Sequence, residues 1–172
     1  MVNDNKGDYN FQPDDYVVYP THGVGRVVSI EENEIAGHRI ELIVVSFEHE
    51  KMTLRVPTYK LKASGMRPLA KQDMVDAALD VLRGRARIKR AMWSRRAQEY
   101  ESKINSGCLT LLAEVIRDLY KGANNNEQSY SERQLFEVAY DRLSREIAVV
   151  SGVPASDAGM MIDEHLNKKE AA

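Results

Sequence analysis

The chain has 172 residues and nearly balanced charge, 24 Lys plus Arg against 26 Asp plus Glu. Hydrophobic residues at 43% and charged residues at 29% are ordinary for a folded protein and exclude disorder throughout. Apolar runs such as Leu42-Ile43-Val44-Val45 are too short to span a bilayer, the polar Met1–Asp8 stretch lacks a signal peptide's apolar core, and one cysteine, Cys108, excludes an internal disulfide framework and a thiolate zinc site. The expected setting is a reducing cytoplasm.

The first third reads as β structure. Tyr16-Val17-Val18-Tyr19 and Val24–Ile30 are rich in β-branched and aromatic residues, with turn chemistry between them in Pro20-Thr21-His22-Gly23. The polar stretch Glu31-Glu32-Asn33-Glu34 reads as a break before a strand over Arg39–Phe47. A turn at Glu48-His49-Glu50 precedes Met52–Pro57, where alternation sets Met52, Leu54 and Val56 on one face and Thr53 and Arg55 on the other. A further short strand is placed near Gly65–Pro68. Four or five short strands with tight turns predict a small antiparallel barrel.

After Pro68 the apolar period changes to 3.6. Met74, Ala77, Ala78, Val81 and Leu82 form one stripe, closed at Gly84; Ala97, Tyr100 and Ile104 form another. Leu111, Leu112, Val115, Ile116 and Leu119 follow, then a break over residues 122–126. Ser131-Glu132-Arg133-Gln134 has capping-box spacing and opens a long helix with Leu135, Val138, Ala139, Leu143, Ile147 and Val150. Ser151-Gly152-Val153-Pro154 ends it and starts a last helix bearing Met160, Met161, Ile162 and Leu166. The fold class is therefore α+β, a β-barrel followed by an all-α bundle. The expected organisation is a flexible tail over 1–10, a β domain over 11–69, a helical domain over 70–167 and a tail over 168–172.

No catalytic or metal motif stands out. The four histidines, His22, His38, His49 and His165, show no ligand spacing, and there is no phosphate-loop or dinucleotide fingerprint. His22 reads as a turn residue, Cys108 as a small buried hydrophobe and the Asp14-Asp15 pair as a turn cap. The expectation is no enzyme, no cofactor and no metal. Charge, by contrast, is unevenly spread. Residues 71–96 carry eight basic and three acidic side chains, while 97–172 carry eight and thirteen. Arg83, Arg85, Arg87, Lys89, Arg90, Arg95 and Arg96 have no acid among them, which points to a local anionic partner. An Arg83-Gly84-Arg85 minor-groove hook is disfavoured because Ala86 stands where such a hook needs proline, and because the segment reads as continuing a helix.

Trp93, the single tryptophan, lies inside this basic run. Two readings stay open. It shares a helix face with residues 97, 100 and 104, which makes it core; or Ser94 is the N-cap and Trp93 projects, exposed, from the tip of the bundle. A large ring among arginines suits nucleic acid, the cations neutralising phosphates and the ring stacking on an unstacked base.

Four blocks in order carry a resemblance over roughly residues 11–150: Val17-Val18-Tyr19-Pro20-Thr21-His22-Gly23-Val24-Gly25, Leu54-Arg55-Val56-Pro57, Trp93-Ser94-Arg95-Arg96, and Ala113-Glu114-Val115-Ile116-Arg117-Asp118-Leu119-Tyr120. The chain resembles the CarD/CdnL family of bacterial RNA polymerase-binding transcription regulators, and its β module is similar to the polymerase-interacting domain of the transcription-repair coupling factor. The resemblance implies a Tudor-like N-terminal domain that docks on the polymerase β subunit through Arg55, with Leu54 beside it and Ile35 at the same contact. It implies a helical domain that meets promoter DNA at the upstream edge of the bubble. There Trp93 acts as a minor-groove wedge, with phosphate contacts from Lys89, Arg90, Arg95 and Arg96. Such a protein is a cytoplasmic monomer, associated with the nucleoid through the polymerase, and has no membrane contact. Two positions depart from some members, Asn33 and Gln98, each standing where those members carry a basic residue. Two other classes are a stand-alone nucleic-acid-binding protein and a peptide reader with Tyr16, Tyr19, Phe47 and Tyr59 as walls of an aromatic cage.

Overall fold

A computed structural model describes residues 10–122 and 128–168. The tails expected at 1–10 and 168–172 and the break at 122–126 lie largely outside them. The chain divides between Leu69 and Ala70 into two compact units.

The first unit is one antiparallel sheet of β1 (Tyr16–Tyr19), β2 (Gly23–Ile35), β3 (His38–Phe47), β4 (Met52–Pro57) and β5 (Arg67–Pro68), in the order β4-β3-β2-β1-β5. The strands are those expected, but β4 and β5 are the two free edges and are not paired with each other, so no closed barrel forms. Strand alternation turns Val17, Val27, Ile43, Val45, Phe47 and Val56 onto one face. Phe11 from the N-terminal side closes over that face. So do Leu61, at the start of the short helix α1 (Leu61–Ser64), and Met66.

The polar Glu31–Glu34 stretch does not break β2. Ladder pairing continues to Ile35 opposite His38, and the chain reverses at Ala36-Gly37, with φ of 51° and 79°. Positive φ at both central residues is what a type I′ two-residue hairpin requires. Residues 32–35 and 38–41 pair only with each other, so both faces of this ribbon can carry polar side chains. Val28 is an extra residue in β2: Val27 opposes Val45 while Ser29 opposes Val44. This bulge shifts the alternation of everything beyond it by one residue.

Two glycines at the start of β2 are required for different reasons. Gly23 has φ of 76°, which side-chain-bearing residues rarely adopt. A Cβ on Gly25 would stand 2.7 Å from both Val45 Cγ1 and Phe47 Cε1, in the middle of the core. Gly25→Ala should therefore destabilise this unit by about 1–3 kcal/mol, the usual cost of overpacking. Denaturant unfolding followed by amide NMR should show the loss confined to residues of the sheet.

The second unit holds α2 (Gln72–Arg83), α3 (Trp93–Asn105), α4 (Leu109–Leu119), α5 (Tyr130–Ser151) and α6 (Ala155–Asn167). In α2 the buried side chains are Val75, Ala78, Leu79 and Leu82, while Met74 and Ala77 are exposed. The apolar stripe is rotated from the expected one because two sets fit the helical period, and the set with two leucines and a valine buries more area. Val138 of α5 and Met160 of α6 are also exposed rather than core. α4 packs against α2, α3 and α5. Its last turns are buried on all sides, from Val115 to Leu119 without interruption. Cys108 caps α4 half-buried, with Sγ 3.1 Å from Thr110 Oγ1, rather than lying in the core.

The caps also differ from expectation. α5 starts two residues early: Ser129, not Ser131, is the N-cap, and its hydroxyl accepts the backbone N–H of Glu132 at 3.2 Å. Tyr140 of α5 offers its hydroxyl to the Gly159 carbonyl at 3.0 Å and the Asp163 carboxylate at 3.1 Å of α6. Burial, then the Asp163 charge and its hydrogen bond, push this phenol from the usual 10.0 up to about 12. A folded-state pKa above the unfolded one contributes stability that is complete below pH 10 and lost as pH rises towards 12. Stability measured from pH 9 to 12 should fall more steeply for the wild-type chain than for Tyr140→Phe.

Candidate protein and nucleic-acid contact sites

On the sheet, the bulge at Val28 decides what Arg55 faces. Arg55 opposes Val44, which opposes Ser29; beyond it, Glu31 opposes Leu42 and Ile35 opposes His38. Ser29, Glu31, Asn33 and Ile35 therefore share a face with Arg55, away from the Val27–Phe47 core. Without the extra residue they would stand on the opposite face. Arg55 Nε lies 3.5 Å from Glu31 Oε2, an exposed pair of the kind worth little in stability. Ile35, 53% exposed, sits at the tip of the ribbon, roughly 20 Å along the strand direction from Arg55 at ~3.3 Å per residue. Leu54, the third residue of this set, points the other way and packs against the core. So Arg55 and Ile35 share a face, and Leu54 supports Arg55 from behind.

Of the rings named as walls of a cage, Tyr19 and Phe47 meet edge to face with centroids 6.3 Å apart, but Tyr16 does not join them. Tyr16 and Tyr19 lie on opposite faces of β1, and Tyr16 stacks under Arg26. Phe47 is buried, and the space beside it and Tyr19 is filled by the His22 ring, with centroids 5.4 and 5.5 Å away. His22 Nδ1 is 3.0 Å from Glu50 Oε2, which ties the first turn to the β3–β4 turn. The Asp14-Asp15 pair does cap its turn: Asp15 accepts the Gln12 N–H at 2.8 Å, and Asp14 binds Arg26 at 2.8 Å.

On the helical unit, residues 84–92 are irregular, not helical, and α3 begins at Trp93 with Met92 as its extended N-cap. Ser94 is therefore inside the first turn and makes no cap. Trp93 is neither enclosed nor projecting freely. It is half-buried, packed against the core with its ring centroid 6.3 Å from that of Tyr100. Arg96 holds it there: the guanidinium lies 5.4 Å from the centroid of Trp93 and 5.9 Å from that of Tyr100, and Nη2 donates to the Tyr100 hydroxyl at 3.4 Å. Arg96 Nε is buried without a hydrogen-bond partner. Arg96 thus brackets the tryptophan from its own helix. Positions 93, 96 and 100 are one helical face at i, i+3, i+7, which is why the three meet.

Around this bracket the surface is cationic. Lys89 is exposed and 3.2 Å from Glu99 Oε2, while Arg90 and Arg95 are exposed. Met92 is 79% and Ile88 49% exposed, so the basic segment also offers apolar side chains beside Trp93. Sequence reasoning missed a further pair. Arg117 and Asp118 are buried charges on the apolar helix α4, and Asp118 accepts the backbone N–H of Arg87 at 2.9 Å. The available signal was an Arg-Asp doublet between Ile116 and Leu119, on a helix too apolar for unpaired charge. Among the described residues no group of three or more His, Cys, Asp or Glu is placed to hold a metal, and no helix is long and apolar enough to cross a membrane.

Because Trp93 is the single tryptophan, its environment can be read directly. Arg96→Gln removes the cation from two ring faces, a contact worth about 0.5–1 kcal/mol at a partly exposed site. Acrylamide quenching of Trp93 should increase and its emission shift to the red, with helix content unchanged.

The pattern of the CarD-like/TRCF RID domain matches residues 11–70, and that of the CarD C-terminal domain matches residues 77–163. The YdeB protein of Bacillus subtilis (strain 168), whose name designates a transcription factor, is 29% identical over 143 residues, covering 83% of this chain and 94% of that protein. The solution structure of the 72-residue N-terminal domain of Myxococcus xanthus CarD is 30% identical and covers 40% of this chain and 93% of that domain, with a TM-score of 0.31. Both matched patterns fall in family order on the two units whose sites are described above, and the chain belongs to the CarD/CdnL family of transcription regulators.

Proposed function

We propose that the chain docks on the RNA polymerase β subunit through the Arg55 face of its sheet and stabilises open promoter complexes with Trp93 and the surrounding cations. The observation that carries the reading is the bracketed tryptophan: one half-buried ring, oriented by Arg96 and Tyr100, at the start of a helix beside an exposed basic segment. Membership of a family of transcription regulators supplies the setting. A ring whose rotamer is held by its own fold loses little further freedom on contacting an unstacked base.

The energetics follow from linkage. Promoter opening is an equilibrium, and a factor that binds the open form better shifts the population by its differential affinity. Trp93 gains a partner only where the duplex edge is distorted, so its contact is specific to the open form. Arg90 and Arg95 act on phosphates, which adds affinity without base readout. Docking through the sheet raises the effective concentration of the helical unit at promoters. Neither a nucleotide nor a metal is needed for any of these steps.

Arg55→Glu should weaken binding to isolated β subunit while circular dichroism stays native, since Arg55 is exposed and its Glu31 pair contributes little to folding. Unchanged affinity would move the contact elsewhere on the module. Trp93→Ala should keep β binding and shorten the lifetime of competitor-challenged promoter complexes at saturating protein. An aromatic–base contact of ~1–3 kcal/mol corresponds to a factor of about five to a hundred and fifty. Equal decay rates would reject the wedge. Arg90→Gln with Arg95→Gln should instead lower affinity uniformly across promoters and flatten its salt dependence.

A further inference from the structure

The buried Arg117–Asp118 pair sits directly behind the basic segment. One oxygen, Asp118 Oδ1, accepts both Arg117 Nε and the backbone N–H of Arg87, each at 2.9 Å. The two side chains are 8% and 3% exposed. Arg117 also backs onto the start of the segment, where a Cβ on Gly84 would stand 3.5 Å from Arg117 Cδ and 3.2 Å from the Val81 carbonyl. The irregular chain between α2 and α3 is thus fastened to α4 at its midpoint and passes close to it at its beginning. Nothing in helix packing calls for a charged pair here, because an apolar pair of similar volume usually serves a core at least as well. What an apolar pair cannot supply is an acceptor for the Arg87 amide.

We infer that Arg117 and Asp118 are positioning residues for the nucleic-acid surface: through the Arg87 amide they set where the cations of residues 85–90 stand beside Trp93. This rests on the nucleic-acid reading of that segment. Closely spaced cations repel one another, and an unfastened segment would spread them over many arrangements, each presenting fewer charges to phosphates at once. A segment held in advance avoids the ordering cost on binding. Arg117 Nε holds the Asp118 carboxylate turned towards the amide, and the carboxylate in turn pairs the buried guanidinium.

The test separates the tether from the buried charge. Arg117→Met with Asp118→Asn removes both charges and keeps a side-chain carbonyl acceptor; Arg117→Met with Asp118→Ala removes the acceptor as well. Full-length chains are compared for Arg87 amide hydrogen exchange by NMR and for binding to a duplex–single-strand junction DNA across a salt series. With Ala, Arg87 exchange should speed up and affinity fall several-fold. The slope of log affinity against log salt should shrink by about one phosphate contact or more. The Asn form should restore all three. Equal salt slopes and affinities for the two forms would overturn the proposal, leaving the pair a packing element. Should the Ala form not fold, Arg87→Pro, which lacks the amide donor, is compared with Arg87→Ala, which keeps it and equally lacks the guanidinium; equal binding by those two overturns the proposal equally. If Arg90→Gln with Arg95→Gln leaves junction binding unchanged, the nucleic-acid reading itself fails and the proposal with it, whatever the Arg87 amide does.

Discussion

Helix α4 imposes the constraint on which the helical unit depends. It packs against α2, α3 and α5, and every residue from Val115 to Leu119 is buried. A helix enclosed in this way tolerates a charge only when that charge is paired and its remaining hydrogen-bonding capacity is used. Asp118 meets both conditions, the first with Arg117 and the second with the Arg87 amide. The same enclosure thus packs the bundle and fastens the chain that leads into α3. The consequences reach Trp93, because the segment that ends at the Met92 cap sets where the first turn of α3 begins.

The sheet depends on a comparable constraint of register. Core packing against Gly25 is so close that a single methyl group has no room, which fixes β2 against β3 at Val27 and Val45. The extra residue at Val28 then reverses the alternation, and Glu31, Asn33 and Ile35 come to the Arg55 side. A one-residue slip in either direction would move all three to the core side. The Arg55–Ile35 face is therefore a product of one tight glycine and one bulge.

Arginines play two roles in the helical unit. Arg96 and Arg117 are drawn into the fold, one against aromatic faces and one against a carboxylate. Arg90 and Arg95 remain exposed. The planar guanidinium suits the first role, since it stacks on rings and is more weakly hydrated than an ammonium. A count of basic residues treats all of them alike and so overstates the charge available to an anionic partner.

The sequence by itself determined the order of elements, the change from strand to helix after Pro68, the alternation that exposes Arg55 and the family blocks that single out Trp93. These are properties of local periodicity and of short contiguous stretches, which the chain displays without its partners. The caps and stripes were legible only approximately: Ser131 for Ser129, Ser94 for Met92, Met74 and Ala77 for Val75 and Leu79. Each error is a choice between neighbouring positions that fit the same period, settled by which side chains find a partner surface. Barrel closure, the continuation of β2 through four polar residues, the Val28 bulge, the bracket on Trp93 and the Asp118–Arg87 tether were decided by tertiary structure alone. Each joins groups distant in sequence or depends on which strand lies alongside, as Arg87 and Asp118 do across 31 residues. No local pattern encodes a backbone amide's need for an acceptor; only the packed chain reveals where that need is met.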